Sequence, residues 1–288
     1  LEKHLGSFPF FSFWGPGAGL PSSDWIARAS ARVLREKKPD ITLVYLPHLD
    51  YEYQRVGPGN PDLVREVDDA AKQVLTAAAD VGAEVIVVSE YGLVPVSQPV
   101  YLNRELRKEG WLTVRPGPFG EQLDTFQSKA FAVADHQIAH LYIQNGLPLQ
   151  EVKMRLENVS GVDRVVSPEE VGLTHSRSGE LIALSHPDAW FAYPYWLEQN
   201  QAPDFARTVD IHRKPGYDPC ELFSTSRFRA MRKVLTKKLG FRALVDVIPL
   251  DASIVRGSHG LGTEPAICIA KNPVSDMKEI RGLVERLL

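Results

Sequence analysis

At 288 residues, 44% hydrophobic and 24% charged, the chain has the composition of one large or two modest globular domains, which excludes a disordered chain. Its formal charge of −3 gives no general attraction to nucleic acid duplexes or to anionic membranes. Two cysteines, Cys220 and Cys268, exclude a disulfide framework and a zinc-finger pattern. They agree with a reducing compartment, so a cytoplasmic location is slightly favoured.

No apolar run approaches the roughly 18 residues of a membrane span, and no signal peptide is visible. The chain begins LEKHLGSFPFF, without an initiator methionine, which reads as a processed or truncated product. PSSDWIARASARVLREKKPD offers Ser22, Ser23 or Asp24 as an N-cap ahead of apolar residues at helical spacing. ITLVYLP follows, short, apolar and rich in β-branched residues, and predicts a buried strand. PDLVREVDDAAKQVLTAAADVG predicts a helix with Pro61 near its start and Gly82 after its end. AEVIVVSE predicts a second buried strand. This alternation argues for an α/β fold, a mostly parallel sheet covered by helices.

After residue 95 the pattern changes. LNRELRKEG predicts a short helix, and WLTVRPGPFGEQL a strand entering a Gly/Pro-rich turn. AHLYIQ, LPLQEVKMRLENV, DRVV and ELIALSH predict strand, helix, strand and strand. These define a small α+β insertion or cap over 96–204, between core segments 1–95 and 205–288. The core resumes with strands at TVDIH and FRALVDVIPLD, and a short helix closes the chain.

Four stretches carry candidate chemistry: LPHLDYEYQRVGPGNP (46–61), VVSEYGL (87–93), TVDIHRKPGYDP (208–219) and VRGSHGLGTE (255–264). In the first, second and fourth an apolar segment runs into Asp50, Glu90 or His259, with glycine close behind. Ligands of open α/β sheets bind beyond the carboxyl ends of strands, and acids with a histidine gathered there can hold a divalent cation. Asp210 and His212 alternate along one face of the expected strand, and Arg213 and Lys214 offer charge to an anion. Each has a plainer reading. Asp50 could be a strand-end residue, Glu90 the cap of a turn, Asp210 and His212 a chance DxH triplet, Arg213 and Lys214 solvated surface. His48, His136, His140, His175 and His186 read mainly as structural, with DHQIAH the most open case. WFAYPYW (190–196) reads as packing rather than a stacking platform.

With these motifs in order, the chain resembles the alkaline phosphatase superfamily, nearest its nucleotide pyrophosphatase/phosphodiesterase branch, which includes phosphonoacetate hydrolase. That branch carries Asp-x-x-Gly-His-x-x-Gly-Pro, then Ser-Asp-His-Gly, then Thr-His-Gly. Here LDYEYQRVGP keeps Asp50, Gly57 and Pro58, while SEYG and GSHG stand in the later places. The resemblance implies an alkaline phosphatase-like core and a pair of zinc-like ions. Asp50 and His259 keep ligand types for one ion and Glu90 for the other. Gln54 and Tyr91 stand where the family has histidines and become substrate-facing, with Arg213 and Lys214. Asp210 and His212 are candidate compensating metal ligands. The family's nucleophile lies on a segment before the matched region, so it is expected upstream of residue 1.

The expected function is a metal-dependent phosphoric ester hydrolase acting on a small phosphorylated substrate, with zinc ahead of manganese or iron. The alternative is a degenerate relative that binds a phosphorylated ligand or a partner protein without turnover. No nucleic acid duplex and no membrane is expected as a partner. A sheet short of strands would expose apolar surface or pair with another copy as a homo-oligomer.

Overall fold

The computed structural model of the chain describes residues 1–241, 244–262 and 266–288. Its helices, in chain order, are α1 (Glu2–Leu5), α2 (Leu20–Lys37), α3 (His48–Val56), α4 (Pro61–Val81), α5 (Leu102–Lys108), α6 (Leu149–Glu157), α7 (Arg227–Lys238) and α8 (Ile280–Glu285). The strands β1 (Val87–Val88), β2 (Val94–Pro95), β3 (Gln98–Val100), β4 (Val114–Arg115) and β5 (Gln122–Leu123) are short. They are followed by β6 (Ala130–Asp135), β7 (Ile138–Ile143), β8 (Val162–Val166), β9 (Leu181–Ser185), β10 (Ala189–Phe191), β11 (Gly257–Ser258) and β12 (Cys268–Ile269). Contacts divide the chain into unit 1, Leu1–Leu93 with Gly262–Leu288, and unit 2, Val94–Leu261.

In unit 1, α2 and α4 pack along one another. Asn60 accepts from the Asp62 amide at 3.0 Å, Pro61 opens α4, and Gly82 closes it in the left-handed region at φ 71°. The seam joins Ala31 and Leu34 to Ala77 and Ala78, with Val74 and Val85 against it. Small alanines let the two backbones approach closely. The run expected as a strand over 41–47 forms no ladder among the described residues, and Leu43 is 91% exposed. Only β1 forms in the second expected strand, pairing antiparallel with β12. A β-branched apolar run favours an extended backbone, but a strand exists only where a partner supplies the ladder.

Unit 2 is built on a four-stranded antiparallel sheet in the order β6-β7-β9-β8. Ala130, Ala132 and Ala134 of β6 and Ala139, Leu141 and Ile143 of β7 are buried on alternating positions, the period-2 pattern of a sheet with one packed face. α5 packs on β6 and α6 on β8, closing a core that includes Leu106, Leu156, Phe191, Tyr195 and Trp196. Each fully buried leucine there contributes about 2 kcal/mol. Asn103 of α5 fixes the helix to the sheet edge: its amide donates to Ala132 O at 2.9 Å and accepts from Ala132 N at 2.7 Å.

The architecture is mixed α/β, but its sheets are small and mainly antiparallel. Among the described residues only β3 and β10 form a parallel ladder of named strands. Strands β6 and β7 are joined by a two-residue turn, which leaves no chain for the crossover that parallel pairing requires. Residues 208–212, expected as a strand, form no ladder, and 211–213 turn. Of the strand expected over 241–251, Arg242 and Ala243 lie outside the described residues, and 244–249 form no ladder. Three helices, the short α1 together with α3 and α7, occupy places where no helix was expected.

Candidate active site

The first candidate stretch is helical. α3 begins at His48 after Pro47, so Asp50 stands in its first turn and Gln54 one turn further on the same face. Gln54 is buried and donates Nε2 to Asp50 Oδ2 at 2.8 Å, and the Tyr91 hydroxyl also hydrogen-bonds Asp50. Burial pushes the Asp50 carboxyl up to about 6; the Gln54 and Tyr91 hydrogen bonds oppose that rise and the nearby Glu90 charge adds to it. Asp50 Oδ1 is buried and has no hydrogen-bond partner among the described residues. Glu90 is exposed.

Two further tyrosines complete the cluster. Burial, then Asp50 and Glu90, raise the Tyr45 hydroxyl; burial, then Tyr45 and Asp50, raise that of Tyr51. The Tyr91 phenol is raised mainly by burial as well, so all three hold their protons at neutral pH. Trp14 packs edge-on to Tyr51 at 5.3 Å between ring centroids. Sequence reasoning missed Tyr45 and Tyr51. The available signal was the recurrence of Tyr51 and Gln54 three residues apart behind His48, a helical spacing hidden because those positions are polar. His48 itself is fully buried, and neither ring nitrogen has a hydrogen-bond partner among the described residues. Burial lowers its pKa, so the ring is neutral.

Unit 2 holds the remaining candidates. His259 lies against His136, with ring centroids 3.8 Å apart, and His136 stacks on Tyr217 at 4.3 Å. His136 Nδ1 is 3.2 Å from Ser258 Oγ, and the Gln137 amide donates to His259 O at 2.9 Å. The β6–β7 turn is thereby fastened to the GSHG stretch, with His136 at φ 58°. Burial, then the neighbouring His259, keeps His136 well below its usual pKa; burial alone takes His259 to about 4. Thr263 and Glu264 of that motif lie outside the described residues.

Asp210 sits at the start of a turn, its backbone amide donating to Glu221 Oε1 at 2.9 Å, and His212 is exposed on that turn. Arg213 pairs with Asp204 at 3.3 Å and lies over the Phe205 ring at 4.6 Å. Lys214 points inward. Its side chain is closed to solvent, with Nζ 2.7 Å from both Asp218 Oδ2 and Glu221 Oε1. Burial opposes its charge, but the two carboxylates win and its pKa is raised. Its charge is matched by protein carboxylates.

The structure thus brings Asp50, Gln54, Glu90 and Tyr91 together in unit 1, and places Asp210, His212, Arg213, Lys214 and His259 in unit 2. Among the described residues no group of three or more His, Cys, Asp or Glu side chains is assembled to hold a metal ion. The groups brought together at Asp50 offer oxygen: two carboxylates and phenols, with the Gln54 amide turning its Nε2 to Asp50. With Asp50 Oδ1 unmatched, Asp50 and Glu90 fit part of the shell of an oxygen-preferring divalent cation. They do not reproduce the imidazole-rich set that zinc favours.

Residues 6–218 match the model of the family described as type I phosphodiesterase / nucleotide pyrophosphatase. The chain belongs to that family. It is thereby a member of the alkaline phosphatase superfamily, whose phosphodiesterase-type enzymes are typically divalent-metal dependent. The matched span contains Asp50, Glu90 and the 208–218 turn and ends before His259. Among solved structures, phosphonoacetate hydrolase from Sinorhizobium meliloti 1021, in complex with phosphonoacetate, is 20% identical over 64% of this chain and 45% of its own, with a TM-score of 0.47. Murine ectonucleotide pyrophosphatase / phosphodiesterase 5 is 17% identical over 82% of this chain and 52% of its own, with a TM-score of 0.40. The chain spans about half the length of these proteins. No curated protein compared with the chain matches it.

Proposed function

We propose that this phosphodiesterase-family chain serves the hydrolysis of phosphoric esters or phosphoanhydrides in small phosphorylated molecules, with a divalent cation held at Asp50 and Glu90. The observation that carries the reading is Asp50 Oδ1, a buried carboxylate oxygen with no donor among the described residues. An unmatched buried acceptor costs roughly 1–3 kcal/mol, and a cation is the partner that a carboxylate beside a second acid would take. Such an ion supplies charge neutralisation at phosphoryl oxygens. Manganese or magnesium suits the all-oxygen donors of unit 1 better than zinc does.

The chain's own groups prepare the site. Gln54 and Tyr91 fix the Asp50 carboxylate in one orientation by hydrogen bonds. Tyr45, holding its proton, is a donor for the charged oxygens of a phosphoryl group, while the Tyr91 proton is committed to Asp50. Glu90, being exposed, is open to the ion and to water. A substrate-selecting cap over 96–204 belongs to the same reading.

The test is calorimetric titration of the chelator-stripped chain with manganese, magnesium and zinc, beside Asp50→Ala. Turnover of a chromogenic phosphodiester and of a dinucleotide pyrophosphate is then followed with each ion. Stoichiometric binding lost in Asp50→Ala, with turnover that a chelator abolishes, is the expected result. A folded chain that binds no cation would sink it. A second reading, a relative that binds a phosphorylated ligand without turnover, is favoured by Gln54 and Tyr91, which stand in the places of family histidines and hydrogen-bond Asp50. Cation binding without turnover on either ester would select it.

A further inference from the structure

α7 is turned inside out. Its sequence, RFRAMRKVLTKK, carries Arg227, Arg229, Arg232, Lys233, Lys237 and Lys238 and no acid, in a chain whose formal charge is −3. Phe228, Met231 and Leu235, at i, i+3 and i+7, fall on one stripe, and Leu239 continues it one turn beyond Leu235. This is the stripe an ordinary surface helix buries. Here Phe228 is 76% exposed, Met231 70%, Leu235 58% and Leu239 67%. Phe241, just past the helix, is 65% exposed.

The opposite side holds the helix to unit 2. Ala230 packs against the cluster containing Trp190 and Ile248, and Arg229 and Lys233 both pair with Asp246, the latter at 2.9 Å. These anchors leave the large apolar residues facing water. Arg232 and Lys238, both exposed, flank the stripe on its two sides by helical geometry. Contiguous exposed apolar surface of this kind marks an interaction site.

We propose that this face of α7 seats on an anionic phospholipid surface, with Phe228, Met231, Leu235 and Leu239 entering the interface and the flanking cations meeting the headgroups. The charge and apolar distribution is that of a helix lying in the plane of a membrane. A second copy of the chain is disfavoured, because a two-fold contact on this stripe would bring Arg232 and Lys238 against their own copies. An acidic protein groove that wraps a target helix is disfavoured too, because one side of α7 is already packed, with Ala230 on the cluster of Trp190 and Ile248 and Arg229 and Lys233 on Asp246. What remains is one flat face. The chain's net charge averages over this local feature and does not report it.

The test is flotation of the whole chain with vesicles of phosphatidylcholine alone or mixed with phosphatidylglycerol, at low and high salt. Two variants accompany it: the triple Phe228→Ser, Met231→Ser, Leu235→Ser and the double Arg232→Glu, Lys238→Glu. All five positions are exposed, and circular dichroism checks that each variant is folded. The expected result is roughly tenfold or more enrichment on the anionic vesicles, weakened by salt and lost in both variants. Absence of flotation on either vesicle overturns the proposal, as does flotation unchanged in the serine variant. A concentration-dependent dimer dissolved by the serine variant also overturns it and gives the face to a second copy.

Discussion

Gln54 donates its side-chain amide to Asp50 Oδ2 at 2.8 Å, one turn along α3, and so holds the carboxylate whose other oxygen has no partner among the described residues. The position decides what kind of donor stands beside that acid. An imidazole there would add a nitrogen ligand and move the site toward zinc. Gln54→His is therefore expected to tighten zinc binding by about tenfold or more relative to manganese. Competition with a chromophoric chelator measures it. An unchanged zinc affinity in a folded variant would place residue 54 outside the ion's reach.

The raised Asp50 carboxyl makes stability depend on pH in a definite direction. Its folded value is about 6 against an ordinary 3.8, so the folded chain binds the proton more tightly than the unfolded chain. The resulting stabilisation is complete below about pH 4 and is lost as pH rises through about 6, on the order of 3 kcal/mol in all. His136 and His259 are depressed and act oppositely: their stabilisation is lost as pH falls below the ordinary histidine range. The difference between wild type and Asp50→Asn isolates the carboxylate. In chelator-treated protein, denaturant unfolding from pH 4 to 7 should give Asp50→Asn a growing relative advantage with pH. A constant difference would contradict the burial of Asp50.

Much of the helical structure and strands β7, β8 and β9 of the central antiparallel sheet were legible, because the responsible signals are local, while β6 was not expected. Asn60, Pro61 and Gly82 delimit α4 by capping chemistry alone, and the alternating residues of β7 declare their packed face. The strand expected over 41–47 forms no ladder and that over 83–90 only the short β1, for a non-local reason: the runs are apolar, but a ladder depends on what lies beside them. α3 was hidden because its inward positions, His48, Tyr51 and Gln54, are mostly polar, so apolar periodicity did not register. At the candidate site, Asp50 and Glu90 could be singled out from motif order. The tyrosines around them could not, since nothing in the sequence sets Tyr45 beside two acids. His136 escaped likewise, as its meeting with His259 is made by a turn far away in the chain.

Lys214 gives a prediction about stability rather than ligand binding. Replacing it with methionine leaves Asp218 and Glu221 buried without their cation, and the expected loss is about 3–5 kcal/mol by chemical denaturation. Adding Asp218→Asn and Glu221→Gln removes the orphaned charges and should recover a substantial part of that loss. A single Lys214→Met variant within about 1 kcal/mol of wild type, the range of exposed pairs, would mean the triad is open to water.

Gly216 is the strictest backbone test in unit 2. It lies at φ +117°, where a Cβ would stand 2.1 Å from Ala134 O, the same oxygen that accepts the Tyr217 amide at 2.8 Å. Alanine there must push the 214–218 segment away from β6, and Tyr217 carries its ring on His136. Gly216→Ala should cost about 2 kcal/mol or more and should also shift the His136 and His259 ring resonances in a proton NMR spectrum. Gly82→Ala is the control: its φ is +71° but nothing lies within 4 Å of the added carbon. It should cost only about 1 kcal/mol, from the left-handed backbone alone, and leave the histidine resonances in place. Equal costs for the two substitutions would mean that the close approach of Gly216 to β6 contributes nothing, and that the stacking of Tyr217 on His136 does not depend on it.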